Sequence, residues 1–126
     1  MKILIIEDDE QYQSILSRKL TSSGYEVEVA INGKDALIKL NKNKISLIIL
    51  DLLMPEMSGW KFMYEMSRTQ HKNIPIIILT NASEAAYPSR VPLVMDFLIK
   101  ADVSLDELVK KVGKHMSAGE TKKKSK

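Results

Sequence analysis

The chain has 126 residues, of which 44% are hydrophobic and none is cysteine. This length and composition fit one compact domain and exclude a disordered chain, disulfide bonds, thiolate metal sites and a cysteine nucleophile. The net charge of +3 arises in the last eight residues, which carry four lysines and one glutamate, so we predict a neutral domain at residues 1–117, a flexible basic tail at residues 118–126 and no direct binding of nucleic acid.

The predicted elements begin with a short apolar strand, and four further strands follow along the chain. They are predicted at Ile3–Ile6, Glu26–Ala30, Ser46–Leu50, Ile76–Leu79 and Phe97–Ile99. The second alternates apolar and polar residues, which is typical of a half-exposed edge strand. The first apolar run is too short for a secretion signal or a membrane span, so we expect a soluble cytoplasmic protein without membrane contact.

Stretches with helical spacing of apolar residues separate most of the strands. They comprise a segment that ends near Gly24, the ranges of roughly Lys34–Leu40 and Gly59–Arg68, and a final helix from about Leu105. Ser104 and Glu107 form a capping signal before the final helix. Strand–helix alternation predicts an α/β fold, namely a doubly wound five-stranded parallel sheet of order 2-1-3-4-5 with helices on both faces.

Polar residues lie at or just past the carboxyl ends of four predicted strands, which a parallel sheet brings to one edge. They are Glu7 and Asp8 after the first strand, Asp51 after the third, Thr80 at the fourth and Lys100 at the fifth. Crowded carboxylates repel one another, and a hard divalent cation such as Mg²⁺ relieves that repulsion. An aspartate beside a metal, a lysine and a hydroxyl group is a candidate nucleophile for a phosphoryl group.

With these residues the chain resembles the receiver domains of bacterial two-component systems, over roughly residues 2–116. The resemblance implies a role for each matching position and Mg²⁺ or Mn²⁺ as cofactor. The phosphoacceptor falls on Asp51, the metal ligands on Glu7, Asp8, Asp51 and the backbone carbonyl of Leu53, and the phosphoryl-binding and switch residues on Thr80, Phe97 and Lys100. Pro55 and Gly59 match the loop that follows the family's acceptor.

The function implied by the resemblance is that of a phosphorylated switch and not of an enzyme. A sensor histidine kinase or a histidine phosphotransfer protein would phosphorylate Asp51. An output protein of unknown identity would bind the surface of the fourth helix, the fifth strand and the last helix. In family members that lose phosphate quickly, polar side chains two residues after the acceptor and two after the threonine hold the attacking water. Leu53 and Ala82 occupy these positions, so we expect slow autodephosphorylation.

The chain departs from the family pattern at several positions. Ala101 replaces the proline that usually follows the lysine, and Asn81 is larger than the residue that usually follows the threonine. Pro88 and Pro92 fall where the family builds its fourth helix. Because proline inside a helix costs about 3 kcal/mol, we predict a shortened or broken fourth helix.

Two alternatives belong to other functional classes. The first is a pseudo-receiver, a scaffold for protein interactions that takes no phosphate, and Asn81 and Ala101 favour it slightly. The second is an aspartyl-phosphate phosphatase, which would need a second acid just after the nucleophile. Leu52 and Leu53 stand there instead and disfavour an enzyme.

Overall fold

The computed structural model of the chain describes residues 2–81 and 94–124, and five strands and four helices lie in these ranges. The strands are β1 (Lys2–Ile6), β2 (Glu26–Ala30), β3 (Ile45–Leu50), β4 (Ile76–Thr80) and β5 (Val94–Ile99). The helices are α1 (Glu10–Ser22), α2 (Gly33–Lys42), α3 (Gly59–Ser67) and α4 (Leu105–Lys124). All neighbouring strands are parallel, in the order β2-β1-β3-β4-β5, which confirms the predicted fold class.

The inner strands are apolar on both faces because helices cover both sides of the sheet. Alternate residues of β1 show this, since Ile3 and Ile5 pack in one core with α1 and α4, whereas Leu4 and Ile6 pack in a second core with α2 and α3. All four side chains are buried. Two cores of this kind explain why β1 and β3 read as continuous runs of isoleucine and leucine.

The predicted edge strand, the end of the first helix near Gly24 and the cap of the last helix are confirmed. Within the described residues, strand β2 pairs with β1 alone and is half-exposed along most of its length. Gly24 adopts a positive φ of 99° after α1, a conformation that glycine reaches at little cost. Ser104 and Glu107 cap α4 by reciprocal hydrogen bonds between side chain and backbone, and Asp9 caps α1.

Two element boundaries differ from the prediction. Strand β5 begins at Val94 and not at Phe97, because Asp96 interrupts the apolar run of the sequence without interrupting the strand. Helix α4 continues to Lys124, whereas the sequence predicts a tail from residue 118. Residues 117–124 contain no proline, so nothing in the backbone forbids the helix from continuing. The boundary of the domain at residue 117 stays a prediction.

The predicted break in the fourth helix falls on residues 82–93, which lie outside the described residues. Among the helices that the structure describes, none is both long and apolar enough to cross a membrane.

Backbone hydrogen bonds extend the sheet beyond its strands and hold the candidate residues in register. The amide of Glu7 donates to the carbonyl of Ala30 at 3.0 Å, and the amide of Asp51 donates to the carbonyl of Ile6 at 3.0 Å. The amide of Lys100 donates to the carbonyl of Thr80 at 2.8 Å. The sheet therefore fixes the backbone from which each polar side chain projects.

Candidate functional site

Three carboxylates meet at the carboxyl end of β1 and β3. Oxygen atoms of Glu7, Asp8 and Asp51 all lie within 4.8 Å of one another. Glu7 and Asp51 are buried, with 2% and 5% of their surface exposed, while Asp8 is exposed. Three oxygen donors at this spacing could hold a metal ion, with Asp8 on the solvent side of the cluster.

Lys100 reaches this cluster from the end of β5. Its ammonium group donates to Oε1 of Glu7 and, at 3.1 Å, to Oδ2 of Asp51. The peptide between Lys100 and Ala101 is trans, since the described residues hold no cis peptide bond. The lysine therefore reaches Asp51 without the proline that usually follows it in the family.

The loop after Asp51 packs tightly against the acceptor position. Oδ1 of Asp51 accepts a hydrogen bond of 3.2 Å from the amide of Leu53, whose side chain is exposed. A Cβ atom at Gly59 would lie 2.6 Å from the carbonyl oxygen of Asp51 and 2.7 Å from Cα of Leu52, so a larger residue would displace the loop. The predicted metal ligation by the carbonyl of Leu53 and its predicted effect on dephosphorylation stay predictions.

The remaining predicted residues lie on β4 and β5. Thr80 is fully buried at the end of β4 and pairs in register with Ile99. Phe97 pairs with Ile78 and packs against the core of α2 and α3. Asn81 is exposed, and Ala82 lies outside the described residues. The structure thus places Thr80 and Phe97 on adjacent strands, and their roles stay predictions.

Burial and charge give this site its electrostatic character. Burial raises the pKa of Glu7 to about 7, although hydrogen bonds from Lys100 and from the amide of Asp9 oppose the rise. Burial lowers the pKa of Lys100, but contacts with Glu7 and Asp51 outweigh it and hold this pKa above its ordinary value. Ammonium and carboxylates stabilise one another here, and the excess of carboxylates favours an added cation.

Sequence reasoning missed one side chain at this site. Tyr12, on the first turn of α1, places its ring 4.6 Å from the ammonium nitrogen of Lys100, measured to the ring centroid. The available signal was an aromatic residue one helical turn after Asp8, beside the acidic pair. Because Lys100 is far away in the chain, that signal does not identify the contact.

Comparison with known proteins identifies the family of this chain. The family model for the response regulator receiver domain matches residues 3–113. The chain belongs to this family. It is therefore a receiver domain of the kind found in two-component response regulators, and the resemblance seen in the sequence is confirmed.

Curated relatives of this receiver domain include transcriptional regulators. The probable transcriptional regulator ycf27 of Porphyra purpurea is 40% identical over 83 residues, which are 66% of this chain and 33% of the relative. The transcriptional regulatory protein HprR of Escherichia coli (strain K12) is 39% identical over 80 residues, which are 64% of this chain and 35% of the relative. The receiver domain thus spans about a third of the length of these relatives.

Solved structures resemble this receiver domain over nearly its whole length. The receiver domain of the Francisella response regulator 1452 has a TM-score of 0.81 and 26% identity and covers 94% of this chain and 98% of its own. The response regulator TrrA of Thermotoga maritima, in complex with Mg²⁺-BeF, has a TM-score of 0.75 and 31% identity. The match covers 90% of this chain and 97% of the TrrA chain.

Proposed function

We propose that this receiver domain accepts a phosphoryl group on Asp51 in a Mg²⁺-dependent reaction. The observation that carries the proposal is the setting of Asp51, a buried carboxylate within 4.8 Å of Glu7 and Asp8 and 3.1 Å from the ammonium group of Lys100. Asp51 thus lies beside two further candidate metal ligands and beside the positive charge of Lys100. Both features suit a nucleophile that attacks a negatively charged donor.

The donor set fits a hard divalent cation. Glu7, Asp8 and Asp51 offer carboxylate oxygens, and the carbonyl of Leu53 is the fourth proposed ligand. Oxygen ligands of this type suit Mg²⁺ or Mn²⁺. When bound, such an ion neutralises charge on the phosphoryl oxygens. The relative TrrA, solved with Mg²⁺-BeF, supports this proposal by similarity.

In the proposed reaction, a carboxylate oxygen of Asp51 attacks the phosphorus atom of the donor. A bond forms between this oxygen and phosphorus while the bond from phosphorus to the donor breaks. With a phosphohistidine donor, the bonding electrons return to the imidazole nitrogen; with acetyl phosphate, they leave with acetate. The ammonium group of Lys100 and the hydroxyl group of Thr80 would then donate to phosphoryl oxygens.

We further propose a sensor histidine kinase or a histidine phosphotransfer protein as donor, with the cytoplasm as the place of action. The output partner would bind the surface that includes β5 and α4. No finding favours the pseudo-receiver alternative, since the predicted acceptor, lysine and acidic pair lie together.

Incubation with Mg²⁺ and acetyl phosphate, followed by intact mass measurement, tests the proposal. The parent should gain one phosphoryl group, and Asp51→Asn should gain none, because the amide is nearly isosteric but a poor nucleophile. Asp106→Asn is a matched control, since Asp106 is an exposed acid on α4 paired with Lys19. It should be phosphorylated like the parent. An equal adduct on Asp51→Asn would exclude Asp51 as the acceptor.

A further inference from the structure

The contacts of Lys100 include a ring as well as two carboxylates. Tyr12 lies with its ring centroid 4.6 Å from the ammonium nitrogen, which is within the range of a cation–π interaction. The same ammonium group donates to Glu7 and Asp51. The lysine head is thus held between an aromatic face on α1 and the acidic groups that follow β1 and β3.

The position of Tyr12 is itself fixed by the acidic segment. The backbone amide of Asp9 donates to Oε2 of Glu7 at 3.0 Å. The carboxylate of Asp9 caps α1 and accepts a hydrogen bond of 3.2 Å from the amide of Tyr12. A continuous set of contacts therefore links Glu7 to the cap of α1, the cap to Tyr12, Tyr12 to Lys100, and Lys100 back to Glu7. These contacts couple the start of α1 to the orientation of the Lys100 side chain.

Lysine needs such support because its charge sits on a flexible four-carbon stem. In this chain Ala101 follows Lys100, so the backbone lacks the rigidity that a proline would give. Glu7 and Asp51 are also proposed metal ligands, whereas Tyr12 contacts the ammonium group through a ring that is not a proposed metal ligand. Burial raises the pKa of the Tyr12 hydroxyl group, which keeps the phenol neutral.

We propose that Tyr12 is a positioning residue for the phosphoryl transfer, acting by holding the ammonium group of Lys100 beside Asp51. This inference rests on the proposed function, because it assigns Tyr12 a role in that reaction. It concerns the ring and not the hydroxyl group. The substitutions Tyr12→Phe and Tyr12→Leu therefore separate its effects, since the first keeps the ring and the second keeps only apolar bulk.

The test is the rate of phosphorylation by acetyl phosphate at saturating Mg²⁺, without any partner protein. Tyr12→Leu should react about tenfold more slowly, which corresponds to about 1.4 kcal/mol in the barrier. Tyr12→Phe should react like the parent. Tyr25→Leu is the matched control, because Tyr25 is a half-buried tyrosine of the same core. It should leave the rate unchanged, and all four proteins should bind Mg²⁺ with equal affinity.

A double-mutant cycle separates positioning from a structural effect. In a Lys100→Met background, Tyr12→Leu should cause no further loss of rate, because its effect passes through the lysine. An equal loss in both backgrounds would overturn the proposal, and so would a parent-like rate for Tyr12→Leu. A loss seen only with a histidine-phosphorylated donor protein would show a docking residue and would also overturn it.

A measurement on the parent tests the contact without any variant. The ring of Tyr12 should shift the side-chain protons next to the Lys100 ammonium group upfield in the NMR spectrum, and Tyr12→Leu should remove that shift. Its absence in the parent would overturn the proposal. If the parent gains no phosphoryl group at all, the proposed function fails; if the parent reacts and Tyr12→Leu reacts equally fast, this inference alone fails.

Discussion

Glu7, Asp8 and Asp51 form a cluster of three acids, of which Glu7 and Asp51 contact the ammonium group of Lys100. Only Asp8 of the three is exposed. Two buried carboxylates sharing one lysine already hold the pKa of that lysine above its ordinary value. A third acid at the solvent side adds negative charge that the lysine does not contact in the structure. At the scale of single residues, this excess of negative charge is the physical reason for proposing that Asp8 binds a cation.

Removing the charge of Asp8 should weaken Mg²⁺ binding on the order of tenfold or more, since a cation held by few protein groups loses one of its charged ligands. Asp8→Asn and Asp9→Asn form a matched pair at neighbouring positions. Asp9→Asn should bind Mg²⁺ like the parent, because asparagine caps a helix about as well as aspartate. Calorimetric titration of Mg²⁺ into each protein measures both affinities. Equal affinities for Asp8→Asn and the parent would remove Asp8 from the ligand set.

Leu53 and Ala82 should make the phosphorylated state long-lived, because neither side chain can hold a water molecule for attack on the aspartyl phosphate. Leu53 is exposed beside Asp51. Ala82 is included because it lies two residues after Thr80 in the sequence. Leu53→Asn with Ala82→Glu should shorten the lifetime by roughly tenfold to a hundredfold.

Loss of the phosphoryl mass over time, after removal of acetyl phosphate, measures that lifetime. Leu53→Met is the control that keeps an apolar side chain and should decay like the parent. A parent that loses its phosphate within seconds would contradict the prediction, as would a double variant that decays no faster.

At the scale of elements, β4 and β5 connect the acceptor to the surface. Thr80 pairs with Ile99 and Phe97 pairs with Ile78, so the proposed switch residues occupy adjacent strands in a fixed register. Asp96 of β5 also forms a hydrogen bond of 2.7 Å with His115 of α4. A movement of Thr80 toward Asp51 would therefore be transmitted to β5 and α4 through contacts that already exist.

Phosphorylation should draw the hydroxyl group of Thr80 toward Asp51 and let Phe97 move inward, which changes the environment of β5. Amide chemical shifts should accordingly change at β5 as well as in the loops around Asp51, and those of β2 should stay constant. Thr80→Val keeps the shape of the side chain and removes the hydroxyl group, so it should be phosphorylated without the shifts at β5. Shifts confined to the acceptor loops in the parent would refute the coupling.

At the scale of the whole molecule, the sheet order and the place of the site could be predicted because the sequence marks them directly. Continuous isoleucine and leucine in β1 and β3 report burial on both faces, and the polar residues after these strands must share one edge of the sheet. Burial of so many large apolar side chains, at about 1.5–3 kcal/mol each, determines that arrangement.

Other features could not be predicted, since they depend on contacts between distant parts of the chain. The approach of Tyr12 to Lys100 depends on where the first turn of α1 lies relative to the residue that follows β5. The true start of β5 is hidden by Asp96, whose side chain finds a partner in His115. The continuation of α4 to Lys124 is not visible in the lysine-rich composition from which the sequence predicts a tail.

The identity of the phosphorylated residue is the central claim, and chemical mapping tests it most directly. The receiver domain is phosphorylated with acetyl phosphate and Mg²⁺, reduced with borohydride and digested, and its peptides are sequenced by mass spectrometry. Borohydride converts an aspartyl phosphate to homoserine and leaves free carboxylates intact. We predict homoserine at position 51, absent when Mg²⁺ is withheld. Homoserine at another acidic position, or at none in a protein shown to carry the phosphoryl group, would contradict the account.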